Sequence, residues 1–408
     1  MFGTIFLAIT LALELCAVLC YAVRSEKMMR WGRELTVLSF LGAAAASVYL
    51  MVLIFSNRFD IAYVASYSSA ELPAMYKFSA FWAGQQGSFL LWLLIHALAG
   101  VVLAFRQRLI HAGLSVYLGL QALLTILVLA KSPFVLQETA VQNGAGLNPL
   151  LQDPWMAIHP PIIFAGYALL AVPLAYAAGA LLTGQTAREW LDRARKWALT
   201  AWAFLGAGIF IGGYWAYKVL GWGGFWGWDP VENSSLVPWL IAGIFIHVLR
   251  VARVREAALS MVHLAAIFAF SLVLYGTFLT RSGILGDFSV HSFSGSSIGM
   301  AIALVNALVL LAGLLLLIVR AKQLPQGEMY PSYDSREFVV LLGSLILMFM
   351  AAIVFLGMSM PLLTQLSGNP AAVDTSFYVR TLMPLAIVMM LCIIYACLHT
   401  YGSQQPIA

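Results

Sequence analysis

The stretch WGGFWGWDPVENSS at positions 222–235 concentrates residue types that could bind a flat aromatic molecule. Trp222, Trp226 and Trp228 alternate with glycines, which remove side-chain bulk between the rings and let a planar ligand approach the backbone. A belt of tryptophans at a membrane boundary is the simpler explanation, because indole rings favour the headgroup region. Such a belt accounts for one or two tryptophans, whereas the interleaved pattern favours a binding surface. We call residues 221–236 the tryptophan segment.

Two acids in the same segment have a spacing that also fits a structural role. Asp229 precedes Pro230, and Glu232 follows Asp229 by three positions, as in the capping box that starts a helix. The acids could therefore start a helix, orient the aromatic side chains, or do both.

Two histidines flank the tryptophan segment in sequence and are expected on the same side of the protein. His159 stands before Pro160 and Pro161, which suit the first turn of a helix and place the histidine at its outer lip. His291 lies in a stretch rich in glycine and serine, which predicts a loop. An aromatic surface with two axial imidazoles is what an iron porphyrin needs. The residues alone leave two interpretations open, a haem site and two ordinary surface histidines.

A third histidine, His247, lies inside an apolar run over 237–253. About ten residues into a helix correspond to about 15 Å, a depth at which an ionisable residue is a candidate for function. An imidazole there could hold a second, non-covalent haem, or it could hydrogen bond to a neighbouring helix. His96 is interpreted as structural, although it is the internal candidate for a second ligand of that haem, and the remaining histidines are also interpreted as structural.

The elements that must position these residues are membrane helices. The chain has 408 residues, of which 62% are hydrophobic and only 10% charged, far from the composition of a soluble domain. Eleven apolar runs are long enough to cross a bilayer, and no soluble domain stands between them. These runs cover 1–23, 35–56, 87–105, 113–132, 161–183, 197–220, 237–253, 259–280, 298–319, 338–361 and 381–401. The sequence therefore predicts an all-α, polytopic membrane bundle of about eleven helices, forming one domain over 1–408.

The distribution of basic residues predicts the orientation of this bundle. Sixteen of the 22 lysines and arginines fall in alternate loops, which the positive-inside rule assigns to the cytoplasm. The N-terminus is then outside and the C-terminus inside, and the tryptophan segment faces the periplasm. The same distribution accounts for the net charge of +5, so no nucleic-acid partner is inferred. The four cysteines form no C-x-x-C pair and are interpreted as apolar fillers.

Several motifs together resemble one family. WGGFWGWDPVENSSLVPWL (222–240) resembles the WWD signature of haem-handling cytochrome c biogenesis proteins, and its DPVEN ending is similar to the CcmF/NrfE branch. LNPLLQDPWMAIHPP (147–161), YGTFLTRSGILGDFSVHSF (275–293) and SREFVVLL (335–342) also look like CcmF segments in the same order. YKFSAFWAGQQGSFLLW (76–92) does so too, although the family usually has an acid where Gln86 stands.

The resemblance implies a haem-binding subunit of a cytochrome c haem lyase in a bacterial inner membrane. The segment from Trp222 to Asp229 would present haem at the periplasmic surface, with His159 and His291 as the axial pair. His247 would be one ligand of a second, buried haem b, with a quinol as candidate electron donor. Haem would be attached through thioether bonds to the Cys-x-x-Cys-His motif of an apocytochrome c. Expected partners are a CcmE-like haem chaperone and CcmH-like subunits that reduce and bind the apocytochrome.

Two other functions and one further partner follow from the same motifs. One alternative is a haem transporter or presenting scaffold, which would not need His247. Another is a quinol:haem oxidoreductase, which would not need the tryptophan segment. No residue is an obvious acid–base catalyst, so the scaffold alternative stays open. CcmF proteins are commonly longer, and a later helix supplies the second ligand of the buried haem. One expectation is therefore that this chain resembles the N-terminal part of a split CcmF and works with a second membrane subunit that carries such helices. The alternative is that the buried haem is differently ligated or absent.

Overall fold

The computed structural model describes residues 2–23, 25–105, 110–139, 141–184, 189–220, 224–289, 298–365 and 367–399. In these ranges eleven helices are long and apolar enough to cross a membrane, which confirms the predicted all-α membrane fold and the helix count. The α-helices in chain order are α1 (Phe2–Ala22), α2 (Glu26–Phe55), α3 (Ala62–Tyr67), α4 (Ala74–Ala80), α5 (Gln85–Phe105), α6 (His111–Ala130), α7 (Pro154–Thr183), α8 (Glu189–Val219), α9 (Pro230–Ala252), α10 (Leu259–Arg281), α11 (Gly299–Arg320), α12 (Arg336–Gln365) and α13 (Thr375–Cys397). The short helices α3 and α4 lie between α2 and α5.

The chain divides into two compact units. Unit 1 contains residues 1–171 and 203–225, and unit 2 contains residues 172–202 and 226–408. Helices α7 and α8 each contribute one part to each unit, and the tryptophan segment divides after Phe225.

Unit 1 is built around four membrane helices. Helix α1 packs against α2 and α6, and α5 packs against the same two helices. Large apolar side chains of α5 fill the interior, including the fully buried Phe89 and Trp92. Trp92 lies 5.9 Å from the rings of both Phe164 and Tyr167 on α7, so α5 supports the helix that carries His159.

Unit 2 is centred on α9, which packs against α10 and α12. A buried cluster joins these helices to α13 through Val237, Leu279, Met358 and Tyr378. The outward faces of the peripheral helices are apolar: Leu311 on α11 is 64% exposed and Ile387 on α13 is 57% exposed. Exposed aliphatic faces of this kind are stable in lipid, as expected for a multi-pass membrane protein.

Helix α7 begins earlier than the sequence analysis predicted. Asp153 accepts a hydrogen bond from the N–H of Trp155 at 2.8 Å, and Pro154 is the first residue of the helix. Pro160 and Pro161, which were expected to start the helix, lie inside it. The prediction that His159 stands at the lip of the helix was therefore wrong, because the Asp-Pro cap starts the helix five residues before it.

Helix α9 begins at Pro230, where the spacing of Asp229 and Glu232 allows a helix start, seven residues before the apolar run over 237–253. Pro238 lies within the helix. His247 is therefore 17 residues from the first residue, about 26 Å along the axis, and only about 8 Å from the last residue, Ala252. The expected ten residues before His247 count only the apolar run, so the part of α9 that precedes His247 is longer than expected.

Candidate functional site

Asp229 and Glu232 form the capping box that their spacing predicts. The Asp229 carboxylate accepts hydrogen bonds from the N–H groups of Val231 and Glu232 at 2.7 and 3.3 Å. In return, Glu232 Oε2 accepts from the N–H groups of Asp229 and Gly227 at 3.4 and 3.0 Å. The structural role of both acids is thus confirmed. Glu232 also reaches back past the cap to Gly227, so the box fixes part of the tryptophan segment.

Asp229 has a further partner outside its own helix. The hydroxyl of Ser289 donates a hydrogen bond to Asp229 Oδ1 at 2.9 Å. Ser289 belongs to the segment that follows α10, two residues before the predicted haem ligand His291. The cap of α9 therefore also holds the segment that leads to His291.

Trp228 is fixed by its backbone and by a stacked ring. Its φ of +54° lies in the left-handed region, which a bulky residue adopts only when its surroundings impose it. Tyr378 stacks on the indole with 4.8 Å between ring centroids and 5° between planes, and Asn233 Nδ2 donates to the Trp228 carbonyl at 3.0 Å. One face of the Trp228 ring is therefore covered by protein, and only its other face and edges could meet a ligand.

Helix α13, which carries Tyr378, is also capped. Asp374 accepts a hydrogen bond from the N–H of Ser376 at 2.8 Å. Hydrogen bonds from the Ser376 side chain and backbone hold the pKa of Asp374 below its ordinary value. The ring that covers Trp228 thus stands in the first two turns of a capped helix.

Trp226 has a polar atom that suits a ligand with acceptor oxygens. Its ring meets Trp228 edge to face at 6.4 Å and 88°. Its Nε1 is buried and has no hydrogen-bond partner among the described residues, and the same is true of Glu232 Oε1 and Asn233 Oδ1. A buried indole N–H without an acceptor is costly unless a ligand or water supplies one. A haem propionate is an acceptor of the required kind, so this part of the segment fits haem.

His159 is held in an orientation typical of a metal-binding imidazole. It lies on α7, and its Nδ1 is 2.8 Å from the carbonyl oxygen of Gly208 on α8. With the proton on Nδ1, the ring donates this hydrogen bond and Nε2 carries the lone pair, as in most histidines that bind metal. Gly212 leaves the space for the ring, because a Cβ there would lie 2.6 Å from His159 Cε1. The roles of Gly208 and Gly212 in positioning His159 were not identified from the sequence.

His247 projects from α9 with an exposed side chain and makes no hydrogen bond in the part of the chain that the structure describes. Gly243, one turn earlier on the same face, leaves room beside it: a Cβ there would meet only Leu347 and the Trp202 Nε1, at 3.5 and 3.6 Å. Trp202 in turn stacks on Trp239, with centroids 4.7 Å apart. An exposed imidazole beside a glycine and an indole N–H fits one side of a bound haem. The alternative role, a hydrogen bond to a neighbouring helix, is not found among the described residues.

Of the other described histidines, three contact residues of their own unit, whereas His111 Nε2 is buried without a hydrogen-bond partner among the described residues. His96 is buried and stacks on Tyr117, whose hydroxyl donates to the His96 carbonyl at 2.9 Å. His263 packs against Trp190 at 5.3 Å, and His399 Nδ1 lies 3.0 Å from the Tyr395 carbonyl. These contacts fit the structural roles predicted for all three. Two predicted site residues, Trp222 and His291, lie outside the described residues.

Comparison with known proteins agrees with these features. The family described as Cytochrome C assembly protein matches residues 82–285, half of the 408 residues. CcmF of Pseudomonas aeruginosa is 39% identical over 345 residues, 82% of this chain and 52% of the relative. CcmF of Escherichia coli K12 is 35% identical and covers 99% of this chain, which spans 64% of it. The probable NrfE of the same organism is 36% identical, over 83% of this chain and 62% of its own length.

A solved structure agrees as well. The protein titled "Cytochrome c Heme Lyase CcmF" superposes over 100% of this chain and 62% of its own length, with a TM-score of 0.79 at 28% identity. The chain thus spans between about half and two thirds of the length of the relatives it matches. The resemblance drawn from the sequence motifs is confirmed: the chain belongs to the cytochrome c assembly protein family, and within it to the CcmF type.

Proposed function

We propose that this chain is the haem-handling part of a cytochrome c haem lyase in a bacterial inner membrane. It presents haem on the periplasmic side for thioether attachment to the Cys-x-x-Cys-His motif of apocytochrome c. His159 and His291 are the axial ligands of this haem, and Trp222, Trp226, Trp228 and Asp229 belong to the segment that presents it. The assignment of these residues to one haem rests on the resemblance of their motifs to CcmF-type proteins.

One observation carries this proposal most directly: the orientation of His159. The Nδ1 of His159 is fixed by the Gly208 carbonyl, and Gly212 has no side chain that would occupy the space of the ring. This orientation is the one in which an imidazole binds iron through Nε2. The unpartnered Trp226 N–H supports the same conclusion for the tryptophan segment. Thioether formation adds a thiol across a vinyl group, so the contribution of the chain is mainly to hold the haem in position for the two thiols.

The proposal includes a second haem b, resident in the membrane, with His247 as one ligand. When bound, that haem would carry electrons from a donor such as a quinol to keep the presented iron reduced. His263 and His399, the other described histidines of unit 2, lie against backbone atoms of their own unit. The resemblance to CcmF-type proteins supports a second ligand supplied by a second membrane subunit, and His96 is the internal alternative. A CcmE-like chaperone and CcmH-like subunits complete the proposed assembly.

The test is haem binding by the purified chain and its variants. His159→Gly removes the ligand and leaves space that added imidazole can fill. We expect haem titration of the variant to show loss of the axial-imidazole spectrum, and imidazole to restore it. Cytochrome c assembly in cells should fall in parallel, while the amount of the chain in the membrane is unchanged.

Two results would contradict the proposal. A His159→Gly variant with the haem spectrum of the unmodified chain would remove His159 from the ligand set. The second result is a His159→Gly/Trp226→Ala double variant that binds haem normally and gives a normal yield of cytochrome c. The chain would then act as a scaffold that does not use this site. A control is His399→Gln, which changes a histidine whose Nδ1 lies 3.0 Å from the Tyr395 carbonyl and which has no role in the proposed haem sites.

A further inference from the structure

A buried carboxyl group lies in unit 1, among helices that the proposed haem chemistry does not use. Glu14 on α1 is 0% exposed. Its Oε1 accepts hydrogen bonds from Gln121 Nε2 at 2.8 Å and from Thr125 Oγ1 at 3.0 Å, both on α6. Gln121 Nε2 also reaches the hydroxyl of Ser39 on α2, at 3.4 Å. Three membrane helices thus meet at one carboxyl group.

The carboxyl group of Glu14 has no cation to neutralise it. Its Oε2 is buried and has no partner among the described residues. Its contacts, Gln121 and Thr125 of α6, are uncharged, as is Ser39 of α2, which contacts Gln121; no ion pair of Glu14 occurs in the described part of the chain. A bare carboxylate without a cation is costly in a membrane interior. A proton on Oε2 removes this charge, and Oε1 keeps both of its hydrogen bonds.

A sodium ion would fit this cluster less well. A cation needs several oxygen lone pairs directed at one point. The Gln121 amide instead directs its N–H donors at Glu14 and Ser39, and its carbonyl oxygen points toward the backbone of α5, where a Cβ on Gly100 would lie 3.3 Å away. The donor groups that surround Oε1 therefore suit a carboxylic acid.

Among the described residues, buried hydroxyl groups continue from this cluster toward the Tyr21 end of α1. Ser39 Oγ donates to the Thr36 carbonyl at 2.9 Å. Thr36 Oγ1 donates to the Gly32 carbonyl at 2.7 Å and accepts from the Tyr21 hydroxyl at 3.0 Å. All three side chains are buried, and they lead to the end of the bundle where α2 begins with the basic residues Lys27, Arg30 and Arg33.

The opposite direction is closed by apolar and backbone packing. The Thr10 hydroxyl, one turn from Glu14 on α1, is bound to the Phe6 carbonyl at 2.8 Å, and Gly42 of α2 packs directly on it. Farther along, the ring of Phe134 lies on Gly3, where a Cβ would be 2.5 Å from it. We propose that Glu14 is a proton-binding site in the membrane interior and that it exchanges its proton with water at the Tyr21 end of the bundle. Loading transfers one proton from hydronium to the Glu14 carboxylate and leaves water, and no other group of the chain changes its charge.

The test is infrared spectroscopy of the purified full chain in lipid nanodiscs, without haem. We expect Glu14→Gln to lose one protonated-carboxyl band, and that band to shift when the unmodified chain is placed in D₂O. Tyr21→Phe and Thr36→Val should slow the exchange about tenfold, as removal of one hydrogen bond along a route would do. Thr10→Val, on the closed side, is the matched control and should leave the exchange rate unchanged.

Three outcomes would overturn the proposal. The first is a band that persists in Glu14→Gln, and the second is equal slowing by Tyr21→Phe and Thr10→Val. The third is a protonated-carboxyl band that appears only after sodium is removed, which would make the ligand a metal cation. If Glu14→Gln fails to fold, Thr125→Val identifies the band instead, because it keeps the carboxyl and removes one hydrogen bond to Oε1. An unshifted band in Thr125→Val would then contradict the assignment.

Discussion

Two replacements of Asp229 separate its two roles, as the cap of α9 and as a negative charge within the tryptophan segment. Asp229→Ala removes an N-cap, which costs about 1 kcal/mol. It also removes the hydrogen bond that Ser289 donates at 2.9 Å, which costs about 1 kcal/mol more. The sum of about 2 kcal/mol corresponds to about a 30-fold change in the equilibrium for local opening of the first turn of α9. Asp229→Asn keeps a side-chain oxygen that caps almost as well.

Hydrogen–deuterium exchange of the backbone amides, followed by mass spectrometry, measures this opening. In Asp229→Ala we expect exchange of the peptide that contains Val231 and Glu232 to rise about 30-fold, because these two N–H groups lose their acceptor. The segment that contains Ser289 should exchange faster as well. In Asp229→Asn the exchange rates of both peptides should stay near those of the unmodified chain. Haem binding by the two variants then shows whether the charge itself is needed.

Unchanged exchange in Asp229→Ala would contradict this prediction, because the capping box would then contribute nothing to the local stability. The prediction also fails if Asp229→Asn opens as readily as Asp229→Ala, since the side-chain oxygen would not be the element that matters. If Asp229→Asn keeps the cap and loses haem, the acid acts on the ligand as well as on the helix.

Three further outcomes are expected. Gly212→Ala should displace the His159 ring and weaken haem binding, although alanine ordinarily stabilises a helix by about 1 kcal/mol relative to glycine; haem titration that matches the unmodified chain would contradict this. Trp226→Ala should lower haem retention, and Trp226→Phe should lower it less, because phenylalanine keeps a ring but loses the Nε1 donor; equal and normal retention in both would support a simple membrane belt. His247→Ala should remove a b-type spectrum from a complex that contains the second subunit and should leave the spectrum of the isolated chain unchanged.

Features that depend on neighbouring residues were predicted correctly from the sequence. The eleven membrane helices follow from the length of the apolar runs, because each run satisfies the hydrogen bonds of its own backbone and needs no distant partner. The capping box of Asp229 and Glu232 is likewise local, with donor and acceptor three positions apart.

The start of α7 was predicted wrongly because a proline can have two opposite effects on a helix. A proline in the first turn of a helix loses nothing, and one inside the helix removes a hydrogen bond. Pro160 was expected in the first turn of α7 but lies inside it, as Pro238 lies inside α9. The earlier Asp-Pro pairs, which combine a side-chain acceptor with a proline at the first position, determine where the two helices begin.

Long-range contacts could not be read from the sequence. Tyr378 covers Trp228 from 150 positions away, and Gly212 makes room for His159 from a helix that follows it. A glycine in an apolar run does not indicate which residue will pack against it, because that depends on which helices pack together. The polar contacts of Glu14 with Gln121 and Thr125, more than 100 positions later, are of the same kind.

The shared way in which α7 and α9 begin has a consequence for how the protein responds to the bilayer. Asp153 and Asp229 each hold the first turn with a side-chain hydrogen bond at 2.8 and 2.7 Å, and each is followed by a proline. A helix closed in this way does not shorten by unwinding when the hydrocarbon layer becomes thinner, so tilt is the response left to it. The residues just before each cap then keep their position relative to the helix while the tilt angle of the helix changes. Membrane thickness, set by acyl-chain length, would therefore change the slope of these helices and leave the position of His159 and Trp228 along them unaltered.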